Sequence, residues 1–176
     1  MTLALKFVEF APDGRPVLSR LQAARVVDGI NTVYAQCAIR VRLEQYEQVN
    51  PQLYGLGRAL TSADQMDSVR APFDSDQYLV VIHTGAWRHG PMGPANAWTA
   101  MPGQLPAGAV LESVVASNGN ITAHEIGHYL GLDHAHDHSD LMNPIIYHDS
   151  VRITPEQCQQ MRATAMATRA KAIRGA

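Results

Sequence analysis

The spacing of apolar side chains predicts a strand, a helix and a second strand at the start of the chain. Residues 3–10 place Leu3, Leu5 and Phe7 at alternate positions, as in a strand, and a Pro-Asp-Gly turn follows them. Residues 17–36 carry apolar side chains near a helical period. Residues 38–49 alternate apolar with charged side chains, which is typical of a half-exposed strand. This order predicts a right-handed parallel crossover.

The middle of the chain predicts further strands separated by loops. Residues 50–77 are rich in Pro, Gly, Ser and Asp and are expected to hold a short helix near 58–70. The continuous apolar run at 78–83 is typical of a buried central strand. Gly and Pro then predict a loop over 83–94. Two short strands follow, over 95–101 and 109–117.

Two helices are predicted in the last third of the chain. The first begins near Asn118 and ends at Gly131. A capping box opened by Thr154 begins the second, which is expected to run to about Ala172. Between the two helices, residues 135–152 are expected to be irregular.

Length and charge limit the classes of protein to consider. A chain of 176 residues is long enough to bury a core and is expected to form one domain. Its net charge is −2 and its basic residues are scattered, which argues against a nucleic-acid-binding surface. No apolar run approaches the length that spans a bilayer.

The first residues and the two cysteines bear on location. The start of the chain lacks the basic region and the long apolar core of a signal peptide. We therefore expect a cytoplasmic protein or one exported by a leaderless route, unless the chain is a trimmed mature form. Cys37 and Cys158 are too few for a disulfide-rich scaffold. A single bridge between them cannot be argued from sequence, so two free, partly buried thiols are expected.

One stretch carries the chemistry: residues 124–134 read HEIGHYLGLDH and fit H-E-x-x-H-x-x-G-x-x-H. On a helix, His124 and His128 lie on one face and can bind one metal. Gly131 can turn the chain out of the helix at little steric cost, so that His134 returns as a third ligand. Three imidazoles suit zinc and leave a fourth position for water. Glu125 is placed to act as general base on that water.

Other ligands remain open on these residues alone. A bare HExxH also occurs by chance in helices with two surface histidines, but here five specified positions share one register and Met142 follows. The third ligand could instead be Glu156, as in the gluzincins, or an aspartate of the loop. His136 and His138 form a run with His134, although the spacing favours His134. The loop aspartates are Asp133, Asp137 and Asp140.

The stretch resembles the metzincin zinc peptidases, and among them most closely the matrixins (matrix metalloproteinases). The resemblance is carried by residues 130–134 (LGLDH), by the eight-residue step from His134 to Met142, and by Pro144. It implies that Met142 lies beneath the zinc as a hydrophobic base and is not a ligand. The element order matches over most of the chain, whereas the motifs are specific only from about 121 to 157.

The resemblance implies an α+β, metzincin-like fold. A twisted mixed sheet with one antiparallel edge strand would be accompanied by a backing helix, an active-site helix and a C-terminal helix. The upper part would span about 1–134, and a lower part with the Met turn about 135–176. Residues 96–101 would be the edge strand above the cleft, where an extended substrate can pair with free backbone groups.

The resemblance also suggests residues of the substrate pockets. The family's wall segment, Pro-x-Tyr after the Met turn, is one residue longer here and ends at Tyr147. Tyr147 could line the primed-side pocket or approach the zinc as an extra ligand or oxyanion donor. The residues expected to line substrate pockets are Pro144, Ile146, Tyr147, Trp98 and Ala100.

Two metal sites of the family lack their residues here. Matrixins hold a second, structural zinc with histidines and an aspartate, but Trp98 stands where one of those histidines belongs, and residues 109–115 contain no histidine. His83 and His89 alone do not close a site. The acidic calcium-loop pattern is also missing. We therefore expect one catalytic zinc, with no second structural zinc and no calcium.

These features predict a zinc-dependent endopeptidase that hydrolyses peptide or protein substrates through a zinc-bound water activated by Glu125. The alternative is a catalytically inactive, zinc-containing binding protein on the same scaffold. An intact Glu125 argues against that alternative, because a structural site does not need its carboxylate. A histidine-rich metal buffer is a third hypothesis, but five of the eight histidines lie outside the three-ligand set and form no tract.

Overall fold

The computed structural model of the chain describes residues 1–87 and 95–175. The predicted loop over 83–94 therefore lies largely outside the described residues. Four α-helices and six strands are named here in chain order. They are β1 (Thr2–Phe10), α1 (Arg20–Tyr34), β2 (Arg40–Val49), α2 (Met66–Arg70), β3 (Leu79–Thr84), β4 (Ala97–Thr99), β5 (Ala109–Glu112), α3 (Gly119–Tyr129), α4 (Pro155–Thr168) and β6 (Ile173–Arg174).

The strands form one mixed sheet in the order β2-β1-β3-β5-β4. β1 pairs in parallel with β2 and β3, and β3 pairs in parallel with β5. β4 lies at the edge and runs antiparallel to β5, while the short β6 pairs with the start of β1. The predicted parallel crossover through α1 and the predicted antiparallel edge strand are thus confirmed.

Three elements differ most from the prediction. The strand expected over 109–117 ends at Glu112, because the Glu112 carbonyl accepts hydrogen bonds from the N–H groups of Val115 and Ala116 and so closes a turn. The last α-helix ends at Thr168 and is followed by a separate 3-10 turn, Ala170–Ala172. The helix expected near 58–70 is confined to a 3-10 turn and α2.

Apolar clusters cover both faces of the sheet. One cluster joins Leu3, Leu5 and Phe7 of β1 to α1, α3 and α4. The opposite face of the sheet packs against the segment between β2 and β3, which contributes Leu60, Met66, Val69 and Phe73. This long connection is therefore the second covering layer of the sheet, and it brings Arg70 under the edge strand. Within the described parts of the chain, no helix is both long and apolar enough to cross a bilayer.

The two cysteines are joined in a disulfide, so the expectation of two free thiols is wrong. Cys37 ends the 3-10 turn that follows α1, and Cys158 lies in the first turn of α4. The fold brings their Cα atoms to 4.9 Å, although 121 positions separate them in the chain. A contact of such long range leaves no local pattern in the sequence, which is why it could not be predicted.

Candidate active site

Helix α3 is fixed at its start and along its buried side. The side chain of Asn118 caps it by accepting hydrogen bonds from the N–H groups of Asn120 and Ile121. The buried hydroxyl of Tyr34, in α1, donates a hydrogen bond of 2.6 Å to the carbonyl of Ala123. These contacts hold the first turns of α3 in place, and the side chains that follow Ala123 project from this held backbone.

Three histidine side chains converge beside this helix. One ligand atom from each of His124, His128 and His134 lies within 4.8 Å of the others. The Nε2 atoms of His128 and His134 are 3.2 Å apart. Among residues 1–87 and 95–175, these three form the one group of His, Cys, Asp or Glu side chains that could hold a metal ion.

Backbone carbonyls orient two of the imidazoles. Nδ1 of His124 lies 2.8 Å from the carbonyl oxygen of Leu141, and Nδ1 of His128 lies 2.7 Å from that of Leu132. A carbonyl only accepts, so each Nδ1 carries the proton and each Nε2 keeps a free lone pair. Burial lowers the pKa of His124 to about 4 and also lowers the pKa of His128. Both imidazoles are therefore neutral near pH 7, as metal ligands must be.

The donor set fits zinc. A tetrahedral ion with Zn–N bonds of about 2.0–2.1 Å separates neighbouring ligand nitrogens by about 3.3 Å. The 3.2 Å between the Nε2 atoms of His128 and His134 agrees with that spacing. The carbonyls behind His124 and His128 supply the outer hydrogen bonds that hold zinc-binding imidazoles in place.

A glycine turn returns the chain to the third histidine. Gly131 has a φ of +90°, in the left-handed region, and follows Leu130, the C-cap of α3. Its N–H donates to the carbonyl of His128, and the N–H of Leu132 donates to that of Gly127. A Cβ at Gly131 would lie 2.8 Å from the hydroxyl oxygen of Thr164 in α4. The position of His134 thus depends on this glycine.

We expect Gly131→Ala to lower the free energy of unfolding by about 1–3 kcal/mol, because a Cβ strains the left-handed backbone. It should also weaken zinc binding by about 10-fold or more, since the collision with Thr164 displaces His134. Urea unfolding and competition with a zinc chelator measure the two effects.

Gly103→Ala is the matched control for this prediction. Gly103 has a φ of +87° but nothing within 4 Å of its added Cβ. The control should show the backbone strain without the loss of zinc affinity. Equal zinc affinities in the two variants would contradict the role given to Gly131.

Met142 packs against helix α3 at Gly127, the residue before His128. It is fully buried, and a Cβ at Gly127 would lie only 2.6 Å from its sulfur. The carbonyl of Met142 accepts a hydrogen bond of 2.9 Å from the N–H of Ala135, the residue after His134. The Met turn therefore supports α3 from below and holds the chain next to the third histidine.

The three loop aspartates lie outside the histidine group. The buried Asp140 carboxylate accepts hydrogen bonds from the N–H of Met142 and from the side chain of Gln157, and so ties the Met turn to α4. Asp137 pairs with Arg152 at 2.5 Å, and Asp133 is exposed. Glu156, the alternative third ligand, is exposed in the first turn of α4.

Glu125 is almost completely buried, with 6% of its surface exposed. Its Oε2 accepts a hydrogen bond of 2.5 Å from the hydroxyl of Thr99, in β4. Burial raises the pKa of the Glu125 carboxyl to about 7, while the Thr99 hydrogen bond and the charge of Arg70 act in the opposite direction. A carboxyl with this pKa can both accept and release a proton near neutral pH.

Two cavities meet at Glu125 and His134. The larger, of about 760 Å³, also contacts His124 and has an apolar wall. The smaller, of about 260 Å³, lies along β4 beside His128. The lining side chains include Ile121, Pro144, Ile145 and Ile146 in the larger cavity, and Trp98, Thr99 and Met101 in the smaller.

A family model described as matrixin matches residues 30–163, about three quarters of the chain. The chain belongs to the matrixin family. Matrixins are metallopeptidases, in agreement with the three-histidine group and the neighbouring carboxyl. No curated protein matches the sequence.

Solved structures similar to this matrixin show a metzincin-type fold, as expected. Metalloproteinase-II from Bacteroides fragilis has a TM-score of 0.65 at 17% identity, with 93% of this chain and 52% of that chain covered. Archaemetzincin from Methanopyrus kandleri has a TM-score of 0.60 at 16% identity, with 94% and 96% covered. Mature mirolysin from Tannerella forsythia, in complex with a cleaved peptide, has a TM-score of 0.54 at 12% identity, with 76% and 64% covered. The chain thus spans about half the length of the Bacteroides fragilis protein.

Of the five residues expected to line substrate pockets in this matrixin, three line a cavity and two do not. Pro144 and Ile146 line the larger cavity, and Trp98 lines the smaller. Ala100 directly follows β4, is buried, donates its N–H to the carbonyl of Gly108 and lines neither cavity. Tyr147 stacks on the ring of His138, with 3.9 Å between centroids, and lines neither cavity.

Sequence reasoning missed several residues that line the cavities, among them Ile121, Ile145, Thr99 and Met101. Ile121 lies three positions before His124, so the helical period could have identified it. Ile145 follows Pro144 in the wall segment. Thr99 follows Trp98 in the predicted edge strand, and strand alternation turns it to the opposite face from Trp98.

The remaining histidine of interest in this matrixin, His83, lies in the core. Its Nδ1 is 2.7 Å from Oε1 of Glu9, and both side chains are fully buried. His89, the other histidine considered for a second metal site, lies outside the described residues. His136 and His138 are exposed in the loop after His134.

Proposed function

We propose that this matrixin is a zinc-dependent endopeptidase. The observation that supports it best is the meeting of His124, His128 and His134 with the buried carboxyl of Glu125 between two cavities. A metal site built only for stability has no need of a carboxyl that stays outside the ligand set. Peptide hydrolysis needs one beside the metal.

The three histidines would hold the metal through their Nε2 atoms. When bound there, the zinc would supply a Lewis acid for the peptide carbonyl and for an attacking water. The carbonyls of Leu141 and Leu132 would keep the rings of His124 and His128 in place during turnover.

Glu125 would carry the proton. Its carboxylate takes a proton from the attacking water and gives it to the amine that leaves as the C–N bond breaks. The carboxyl lines both cavities, so it can reach the water and the leaving group from one position. Burial, which raises the pKa of this carboxyl, favours its uptake of the proton.

The substrate would bind as an extended strand. β4 lies at the edge of the sheet and, among residues 1–87 and 95–175, its strand partner is β5 on one side. Its outer edge offers backbone groups to a peptide that passes above the histidines. A side chain of that peptide would enter the larger cavity, whose wall of Ile121 and residues 144–146 favours an apolar group.

The test is cleavage of a diverse peptide library, read by mass spectrometry, with and without a zinc chelator. We expect the zinc-loaded protein to cleave a subset of the peptides, and we expect chelation to abolish cleavage and added zinc to restore it. Zinc content should be one ion per chain. A protein that binds one zinc and cleaves no peptide would contradict the proposal and favour a binding protein on this scaffold.

A further inference from the structure

A threonine of the edge strand contacts the proposed general base. The hydroxyl of Thr99 lies 2.5 Å from Oε2 of Glu125, and Thr99 is 9% exposed. In the described ranges, 1–87 and 95–175, it is the hydrogen-bonding partner of this carboxyl. Oε2 is therefore held by this hydrogen bond, whereas Oε1 takes no part in it.

The backbone around Thr99 is held on both sides. The preceding carbonyl, of Trp98, accepts a hydrogen bond of 2.9 Å from the guanidinium of Arg70. The following N–H, of Ala100, donates to the carbonyl of Gly108. Arg70 is 4% exposed and is itself held by Asp67, with 3.2 Å between the charged groups. The hydroxyl of Thr99 is thus presented from a rigid backbone.

Strand geometry directs Thr99 toward the catalytic helix. Thr99 pairs with Ala109 and Ala97 pairs with Leu111, and these partners belong to the core face that packs on α3. Trp98, between them, points to the other face. Thr99 is therefore the residue of β4 whose hydroxyl can reach Glu125.

We infer that Thr99 is a positioning residue for Glu125. Its hydroxyl holds Oε2 and thereby fixes the carboxyl plane with Oε1 directed at the attacking water. The inference rests on the proposed function. It assigns no contact with substrate to the Thr99 side chain, so its loss should slow the chemical step and leave substrate binding nearly unchanged.

The test compares Thr99→Val with Thr99→Ser. Valine keeps the volume and the branching of threonine but has no hydroxyl, whereas serine keeps the hydroxyl. With a peptide that the wild type cleaves, we expect Thr99→Val to lower kcat by about 10–100-fold with KM within about 2-fold. Thr99→Ser should recover most of kcat. Both variants should bind one zinc per chain with the affinity of the wild type.

Thr122→Val is the matched control. Thr122 is a fully buried threonine of α3 whose hydroxyl bonds to the carbonyl of Asn118, so its removal deletes a buried hydroxyl without touching Glu125. This control should keep the kcat of the wild type.

Four outcomes would overturn the inference. They are an unchanged kcat in Thr99→Val, an equal loss in Thr99→Ser, a change confined to KM, and a loss of zinc from Thr99→Val. A wild type that cleaves no peptide would instead overturn the proposed function, and the inference with it.

Discussion

Glu125→Gln is expected to lower kcat by about 10²–10⁴-fold while the protein keeps its zinc. Glutamine has nearly the shape of glutamate and can still accept the hydrogen bond from Thr99, but it cannot take a proton from water. The three histidines make up the metal group without Glu125, so zinc affinity should be retained. Steady-state cleavage of a library-derived peptide and zinc content per chain measure the two quantities.

His128→Ala is the contrasting variant for this prediction. It removes one of the three imidazoles, and we expect it to lose zinc and activity together. Near-normal hydrolysis by Glu125→Gln would show that another group is the base. Loss of zinc from Glu125→Gln would show that its carboxyl belongs to the metal site.

The disulfide between Cys37 and Cys158 is expected to contribute strongly to the stability of the fold. Removing it by Cys37→Ala and Cys158→Ala together should lower the free energy of unfolding by about 2–5 kcal/mol. The bond closes a loop of 121 positions, and a closed loop of that size restricts the unfolded chain strongly. Urea unfolding of the oxidised wild type and the double variant measures the difference.

Dithiothreitol supplies the control for this prediction. It should destabilise the wild type by a similar amount and leave the double variant unchanged, because only the wild type has a bond to reduce. A wild type that unfolds at the same urea concentration with and without dithiothreitol would contradict the prediction.

The metal group could be predicted from sequence because its geometry is local. His124 and His128 are one helical turn apart, and Gly131 turns the chain within the next six residues to return His134. Most strands of the sheet could likewise be predicted, because alternating or continuous runs of apolar residues mark them in the sequence. The antiparallel edge strand came from the resemblance to the matrixins, whose element order the chain shares.

The parts that escaped prediction depend on contacts between distant segments. Thr99 of β4 contacts Glu125 of α3, and Arg70 contacts β4 from a connection whose sequence is typical of a loop. The sequence leaves Asp140 open as a metal ligand, but its carboxylate accepts hydrogen bonds from Met142 and Gln157. Each of these residue types is common in loops and strands, so only the folded arrangement distinguishes them.

The disulfide between Cys37 and Cys158 also determines how cleavage of the backbone can be detected. Every histidine of the metal group and all strands from β2 to β5 lie between its two ends. A single nick anywhere in that interval, whether by self-digestion or by a contaminating protease, leaves both fragments on one covalent molecule. Such a molecule co-migrates with the intact protein on a gel without reductant and separates into two bands once the bond is reduced. Comparing reduced with non-reduced samples would therefore reveal a nick in the backbone that a non-reducing gel does not show.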